Sequence, residues 1–369
     1  MPTKVIVNIP GEEPYDVRIG AGVLAKLGAH VRKVPALSQV DRALVITDSN
    51  VAPLCLADAK AVLAESGFRV SDIVVPAGED SKSVEVAGEV WEAMAQLSLG
   101  RDCLVVAVGG GVVGDLAGFV ASTYMRGVQV VQVPTTLLSM VDSSVGGKTG
   151  VNLSAGKNLV GTFKQPAYVC ADTAALATLD EREWACGCAE IAKASVIDSD
   201  EFFFWLTDAA DALAARDQTV VEEAIARSVV FKADVVAADK TESKGVRECL
   251  NYGHTLGHAV ESLAGYGTFS HGAAVAEGMR FAARLAVALA DAPLDLVSEK
   301  VYLLDRLGLP ALSWSAEPAD MLAAMKRDKK ARHGQVRFVL PRDVGSWQLA
   351  DVPDDVILEH LEAWAGSKG

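Results

Sequence analysis

Residues 104–122, LVVAVGGGVVGDLAGFVAS, form an apolar run that meets three consecutive glycines and passes directly into a helical pattern. A strand with no alternation of polar and apolar residues is buried on both faces. That is the habit of parallel sheets covered by helices, not of antiparallel sheets with one wet face. The rest of the first half agrees. Strand-like runs at 4–9, 43–47, 70–75, 103–108, 128–133 and 167–171 are interleaved with helical patterns, notably 51–66 and 84–97. This order predicts an α/β domain with a mostly parallel, Rossmann-like sheet and ligands at the carboxyl ends of its strands.

At 369 residues the chain exceeds one ordinary core. The texture changes after residue 179. From 180 to 307 the sequence is rich in Ala, Leu, Glu and Arg at helical spacing, and strand-like residues return only at 336–340. A division into domains 1–179 and 180–369 follows, the second mainly α-helical. No apolar run reaches the length of about 18 residues needed for a membrane span. The N-terminus alternates like a strand and lacks a signal-peptide pattern, so a cytoplasmic location is expected. The net charge of −14 argues against nucleic acid or anionic membrane as partners. Anionic small-molecule ligands would need a local gathering of cations. Of the six cysteines, only Cys186 and Cys188 are close together, and a lone C-x-C pair reads more simply as small buried residues than as a metal site.

The triple-glycine turn places Gly109, Gly110 and Gly111 between strand and helix, with Gly114 in the first helical turn. Backbone N–H groups there can receive a phosphate. The spacing is not the G-x-G-x-x-G dinucleotide fingerprint, but Asp115 adds a charge to an apolar helix start. A second polar, glycine-rich loop follows in VPTTLLSMVDSSVGGKTGVN, then GKNLVGTF. Asp48, after a strand in ITDSN, could accept from ribose hydroxyls or cap the next helix. Two such loops suggest a dinucleotide and a further anion.

Three of the six histidines fall close together, in LNYGHTLGHAVE and FSHGAAVAEGM, whereas His30, His333 and His360 sit in polar stretches. His254 and His258 share a helix face, but Thr255 stands where a metalloprotease would carry its glutamate. Two histidines and a carboxylate suffice for a catalytic zinc. Glu190, in an apolar helical run, is the candidate carboxylate; the simpler alternative is a surface pair with Lys193.

GGGVVGDLAGFVASTYMRG, VPTTLLSMVDSSVGGKTGVN, GKNLVGTF, LNYGHTLGHA and SHGAAVAEGM, in this order, resemble the dehydroquinate synthase family of sugar-phosphate cyclases over nearly the whole chain. The resemblance implies an NAD-binding domain at 1–179, with NAD meeting Asp48, Asn50, Glu79, Lys82, Gly110, Gly111, Val112, Asp115, Thr135, Thr136, Lys148, Lys157 and Thr178. It implies a zinc (or cobalt) ion on Glu190, His254 and His271, and makes His258 a proton relay instead of a ligand. Substrate groups would meet Arg126, Asp142, Lys148, Lys157, Asn158, Lys193, Lys232, Arg247, Asn251, Lys329 and Lys330.

The implied activity is that of a carbon–oxygen lyase of the shikimate pathway of aromatic amino acid biosynthesis. It would convert 3-deoxy-D-arabino-heptulosonate 7-phosphate to 3-dehydroquinate and phosphate. Hydride passes from C5 to NAD, phosphate leaves from C7, hydride returns, and an aldol closure forms the ring. A homodimer is expected. Two stretches depart from the family pattern: DKTESKGVR, with Lys240 where relatives carry an acid, and ASVIDSD after Lys193. Rival readings are a cyclase of the deoxy-inosose or valiolone type, a metal-dependent polyol dehydrogenase, and a catalytically dead binding protein.

Overall fold

The computed structural model describes residues 2–265, 267–327 and 335–368. They form two compact units, Met1–Leu179 with Ile225–Thr241, and Asp180–Ala224 with Glu242–Gly369. The segment 225–241 therefore belongs with the first unit, although sequence texture groups it with the helices after 179. Charge pairing explains this placement. Lys232 is buried against Asp142 at 2.6 Å, and Lys240 pairs with Glu12.

In the first unit, β1 (Thr3–Val7), β2 (Tyr15–Gly20), β3 (Arg42–Asp48), β4 (Arg69–Val75), β5 (Cys103–Gly109) and β6 (Gln129–Pro134) precede a hairpin of β7 (Lys148–Leu153) and β8 (Gly156–Phe163), and β9 (Tyr168–Asp172) follows. Seven of these strands form one sheet in the order β1-β2-β9-β6-β5-β3-β4, antiparallel only between β1 and β2. The end of the second glycine-rich stretch and the GKNLVGTF segment thus form an antiparallel hairpin outside that sheet. Helices α1 (Leu27–Val31), α2 (Ala57–Glu65), α3 (Val84–Gln96) and α4 (Gly111–Thr123) cover the sheet. Alternation along β3 and β5 builds a core on each face. Leu44, Ile46, Val105 and Ala107 pack with residues of α3 and α4, while Ala43, Val45, Leu104, Val106 and Val108 pack with residues of α1 and α2. This is why β5 reads as an unbroken apolar run.

β3 pairs in parallel with β4 on one side and β5 on the other, so the chain leaves β3 in one direction and later returns on its opposite flank. Such a switch point is where open α/β sheets bind ligands. Asp48 ends β3, and Gly109–Gly111 joins β5 to α4 at the same edge.

The second unit holds α5 (Glu181–Asp198), α6 (Asp200–Ala214), the start of α7 (Gln218–Ala238), α8 (His254–Ala264), α9 (His271–Leu289), α10 (Leu294–Arg306), α11 (Pro318–Arg327) and α12 (Asp354–Gly366). The strand expected at 336–340 is the hairpin β10 (Val336–Asp343) and β11 (Ser346–Val352). Side-chain caps set three helix starts: Asp180, Ser199 and Ser270 accept from backbone N–H groups of α5, α6 and α9. No helix among the described residues is long and apolar enough to cross a membrane.

α8 and α9 approach at glycine. A Cβ on Gly278 would collide with the carbonyl of Gly253 and come within 3.1 Å of the Gly257 nitrogen. Gly278→Ala is expected to destabilise the chain by about 1–3 kcal/mol, because rigid backbone cannot yield to the added methyl. Gly88→Ala, in α3 with no atom within 4 Å of its Cβ position, is expected to be neutral or stabilising by up to about 1 kcal/mol. Urea unfolding of both variants checks the contrast.

Candidate active site

At the switch point, Gly110 is the N-cap of α4 and offers no side chain to its first turn. Its φ of −74° needs no glycine; space does, since a Cβ would stand 3.1 Å from Thr136 Cγ2. Gly111 is crowded by Ser143 at 3.3 Å and Gly114 by Gln132 at 2.9 Å. The glycines therefore bring the loop after β6 close to the helix start. That leaves the N–H groups near Gly111 and Val112 without a side-chain cap, as a dinucleotide phosphate requires. Thr135 ends β6 with its N–H donating to Gly109, and its buried hydroxyl has no partner among the described residues. An orphaned buried hydroxyl beside an uncapped helix start fits a bound nucleotide.

Other residues expected near NAD are engaged with one another. Asp48 Oδ1 accepts from the N–H groups of Asn50 and Val51 at 2.8 and 3.0 Å, the turn-capping role, which leaves ribose binding to its second oxygen. Lys82 donates to Asp115 at 2.6 Å. Burial raises the Asp115 pKa and Lys82 opposes that, so the pair carries no isolated charge. Glu79 accepts from the Asn152 amide at 2.7 Å, and the Asn152 carbonyl oxygen receives the Asn158 N–H at 2.9 Å. Asn152 thus ties Glu79 to the hairpin. Thr178 lies exposed as the last residue of the turn Thr173–Thr178.

Of the cations, Lys148 and Lys157 lie exposed on the β7–β8 hairpin. Arg126, also exposed, sits with Met125 at positive φ, 67° and 51°. Two consecutive non-glycine residues in that region store strain, a feature concentrated at binding loops. Lys232 faces Asp142 within the first unit. In the second unit Arg247 is buried in the turn Arg247–Asn251, which carries Asn251. Lys329, Lys330 and His333 lie outside the described residues. His30 is bonded to the Tyr168 hydroxyl at 2.8 Å, which gives it a structural part.

The second unit gathers the three clustered histidines around Glu190. His254 Nε2 and His271 Nε2 stand 3.6 and 3.7 Å from Glu190 Oε1. One ligand atom from each residue lies within 4.8 Å of the others. Three ligands on one tetrahedral ion, each at about 2.0–2.2 Å, sit roughly 3.3–3.6 Å apart, so the set fits a divalent ion. The Glu190–Lys193 pair does form, but it is buried instead of lying on the surface. Burial favours the neutral acid at Glu190, yet Lys193 and His271 outweigh it and hold the pKa down at about 2. Burial likewise opposes charge on His271, but Glu190 and Glu261 raise its pKa to about 9 without an ion. The His258 ring lies 5.4 Å from His254 and 6.2 Å from His271, beside the cluster.

Backbone contact makes this convergence possible. A Cβ on Gly272 would meet Cys186 Cα at 2.5 Å, so α9 and α5 touch one residue beyond His271 and one turn before Glu190. Cys186 and Cys188 are buried, and burial pushes the Cys188 thiol up to about 12, so both pack as neutral residues. Glu261 escaped the sequence reading. Its Oε2 lies 3.1 Å from His271 Nδ1. Its signal was the spacing 254, 258, 261 on α8, which puts a carboxylate on the histidine face.

Residues 72–186 match the family model described as 3-dehydroquinate synthase N-terminal, and residues 187–331 the C-terminal one. A 3-dehydroquinate synthase of Acidithiobacillus ferrooxidans is 46% identical over 360 residues, 96% of each chain. Among solved structures, a 2-deoxy-scyllo-inosose synthase complexed with carbaglucose-6-phosphate, NAD+ and Co2+ is similar at TM-score 0.88 and 28% identity, over 98% of this chain and 99% of that one. A 2-epi-5-epi-valiolone synthase from Streptomyces hygroscopicus with NAD+ and Zn2+ has TM-score 0.85 and 29% identity over the same shares.

The raised His271 pKa gives uptake of a divalent ion a definite pH dependence. The ion needs neutral imidazole, and below about 9 a proton holds that site. Apparent affinity should therefore rise with pH, by up to about tenfold per unit, and level off above about 9. Chelator competition across that range checks it. His271→Ala is expected to lose the bound ion.

Proposed function

The chain belongs to the 3-dehydroquinate synthase family, and from that premise we infer how its own residues form the sugar-acid ring. The reaction converts 3-deoxy-D-arabino-heptulosonate 7-phosphate to 3-dehydroquinate and phosphate. The observation that carries the residue assignment is the cluster of buried Glu190 with partly buried His254 and His271, in a chain whose switch-point loops suit a nucleotide. NAD, when bound, supplies a reversible hydride acceptor, and a zinc or cobalt ion supplies a Lewis acid for the hydroxyl being oxidised.

The protein's part is to hold, orient and move protons. Met1–Leu179 with Ile225–Thr241 is the nucleotide-binding unit: the uncapped start of α4, Thr135 and Asp48 receive the dinucleotide, and the Lys82–Asp115 pair and Glu79 shape its surroundings. In the second unit Glu190, His254 and His271 would hold the ion. Lys193 neutralises the other oxygen of Glu190, which keeps that carboxylate ionised while buried. Arg126, Lys148 and Lys157 are exposed cations in a chain of net charge −14 and suit the carboxylate and phosphate of the substrate. Further polar candidates for substrate binding are Asp142 with Lys232 in the first unit and Arg247 with Asn251 in the second, and Lys329 and Lys330 are added from the sequence alone. His258, beside the ligand histidines and outside the ligand set, is the proton carrier. A cytoplasmic homodimer is part of the same proposal.

The test is a phosphate-release assay on the heptulosonate phosphate. Stripping NAD should abolish release, and NAD far below the substrate concentration should restore it without accumulation of NADH absorbance. Stoichiometric NADH would instead mark a dehydrogenase. Lys148→Ala and Arg126→Ala should each lower kcat/KM about 10- to 100-fold, the worth of one charge-assisted hydrogen bond, with unfolding midpoints unchanged.

A further inference from the structure

The two histidines of the cluster have their second ring nitrogens anchored differently. His254 Nδ1 lies 3.1 Å from the carbonyl oxygen of Tyr252, two residues away. That acceptor comes with the backbone at the start of α8. His271 Nδ1 lies 3.1 Å from Glu261 Oε2, a side chain ten positions away on another helix. Each acceptor favours a proton on Nδ1, so Nε2, the nitrogen that faces Glu190 Oε1, is the one each ring would offer to an ion. Resting on the ion site proposed above, we propose that Glu261 is the positioning residue of the metal centre: it fixes the tautomer and ring plane of His271 and strengthens that imidazole as a ligand.

Three further observations support this. His271 is the first residue of α9 and is the more exposed of the two rings, its side chain 32% accessible against 12% for His254. The packing around it is the weaker restraint, so its orientation depends on a specific partner. Glu261 is itself only 11% accessible, which gives its contact the strength of a poorly hydrated carboxylate. The third is charge. Lys193 pairs with Glu190 and offsets its charge locally, so a further carboxylate near the ligands favours a doubly charged ion. Glu261 returns one negative charge directly behind a ligand ring. The same helix face thus carries a ligand (His254), the proton carrier (His258) and the group that orients the second ligand (Glu261), at steps of four and three residues.

Zn2+ affinity and the visible spectrum of the Co2+-loaded protein are measured for the wild-type chain, Glu261→Ala and Glu261→Gln. Glu261→Ala should lower Zn2+ affinity about 10- to 100-fold and shift the Co2+ ligand-field bands, with circular dichroism unchanged. Glu261→Gln keeps an acceptor but no charge, so its affinity should fall less and its spectrum stay near wild type. This graded order is what a merely structural role would not produce; should Glu261→Ala fail to fold, the loss in Glu261→Gln carries the test. Wild-type affinity and spectrum in both variants would overturn the inference and leave the family reading intact. Two ions per wild-type chain, one lost in either variant, would overturn it by making Glu261 a ligand of a second site with His258. A wild-type chain that binds no ion would remove the metal site proposed above, and the inference with it.

Discussion

Three side chains from three helices meet at one point most directly where the helix backbones pack closely. Glycine provides that here. Gly272 lets α9 lie against Cys186 of α5, and Gly278 lets α9 lie against the chain entering α8. A side chain at either position would have to push these backbones apart. The electrostatic consequence is severe, because Glu190 is buried and ionised. A lone carboxylate there would cost several kcal/mol. Lys193 from one turn away and the His271 imidazole from a facing helix hold it charged, and with His254 the same arrangement is what a divalent ion needs.

The sheet of the first unit follows a different rule to the same end. β3 and β5 are adjacent, parallel and buried on both faces, so polar chemistry is confined to their carboxyl ends. Asp48 and the glycines at 109–111 are concentrated there because the buried middle of β3 and β5 is apolar. The glycines act by proximity more than by unusual dihedrals, bringing Thr136 and Ser143 against the start of α4.

Much of this was legible in one dimension. Buried parallel strands announce themselves as unbroken apolar runs, and the interleaved helical periods gave the class of the first unit. The candidate ligands stood out because Glu190 interrupts an apolar helix and His254 and His271 begin glycine-bounded helices. Other elements were harder. β2 and the β7–β8 hairpin are short and partly polar, so their pattern resembles a loop. The segment 225–241 is helical by period, but its place with the first unit rests on Lys232 and Lys240 finding Asp142 and Glu12 far back in the sequence.

The sequence by itself determined the class of each half, the glycine-rich turns, and the residue types able to take a nucleotide, an anion and a metal. These depend on periodicity and turn chemistry, which act over a few residues. Only the tertiary structure decided the partnerships: that Lys193 neutralises Glu190 in the interior, that Asp115 is held by Lys82, that Glu79 reaches Asn152, and that Glu261 stands behind His271. Such pairings depend on how closely two helices or loops approach, to within an ångström. No local pattern encodes that distance, because it is set jointly by every side chain packed between them.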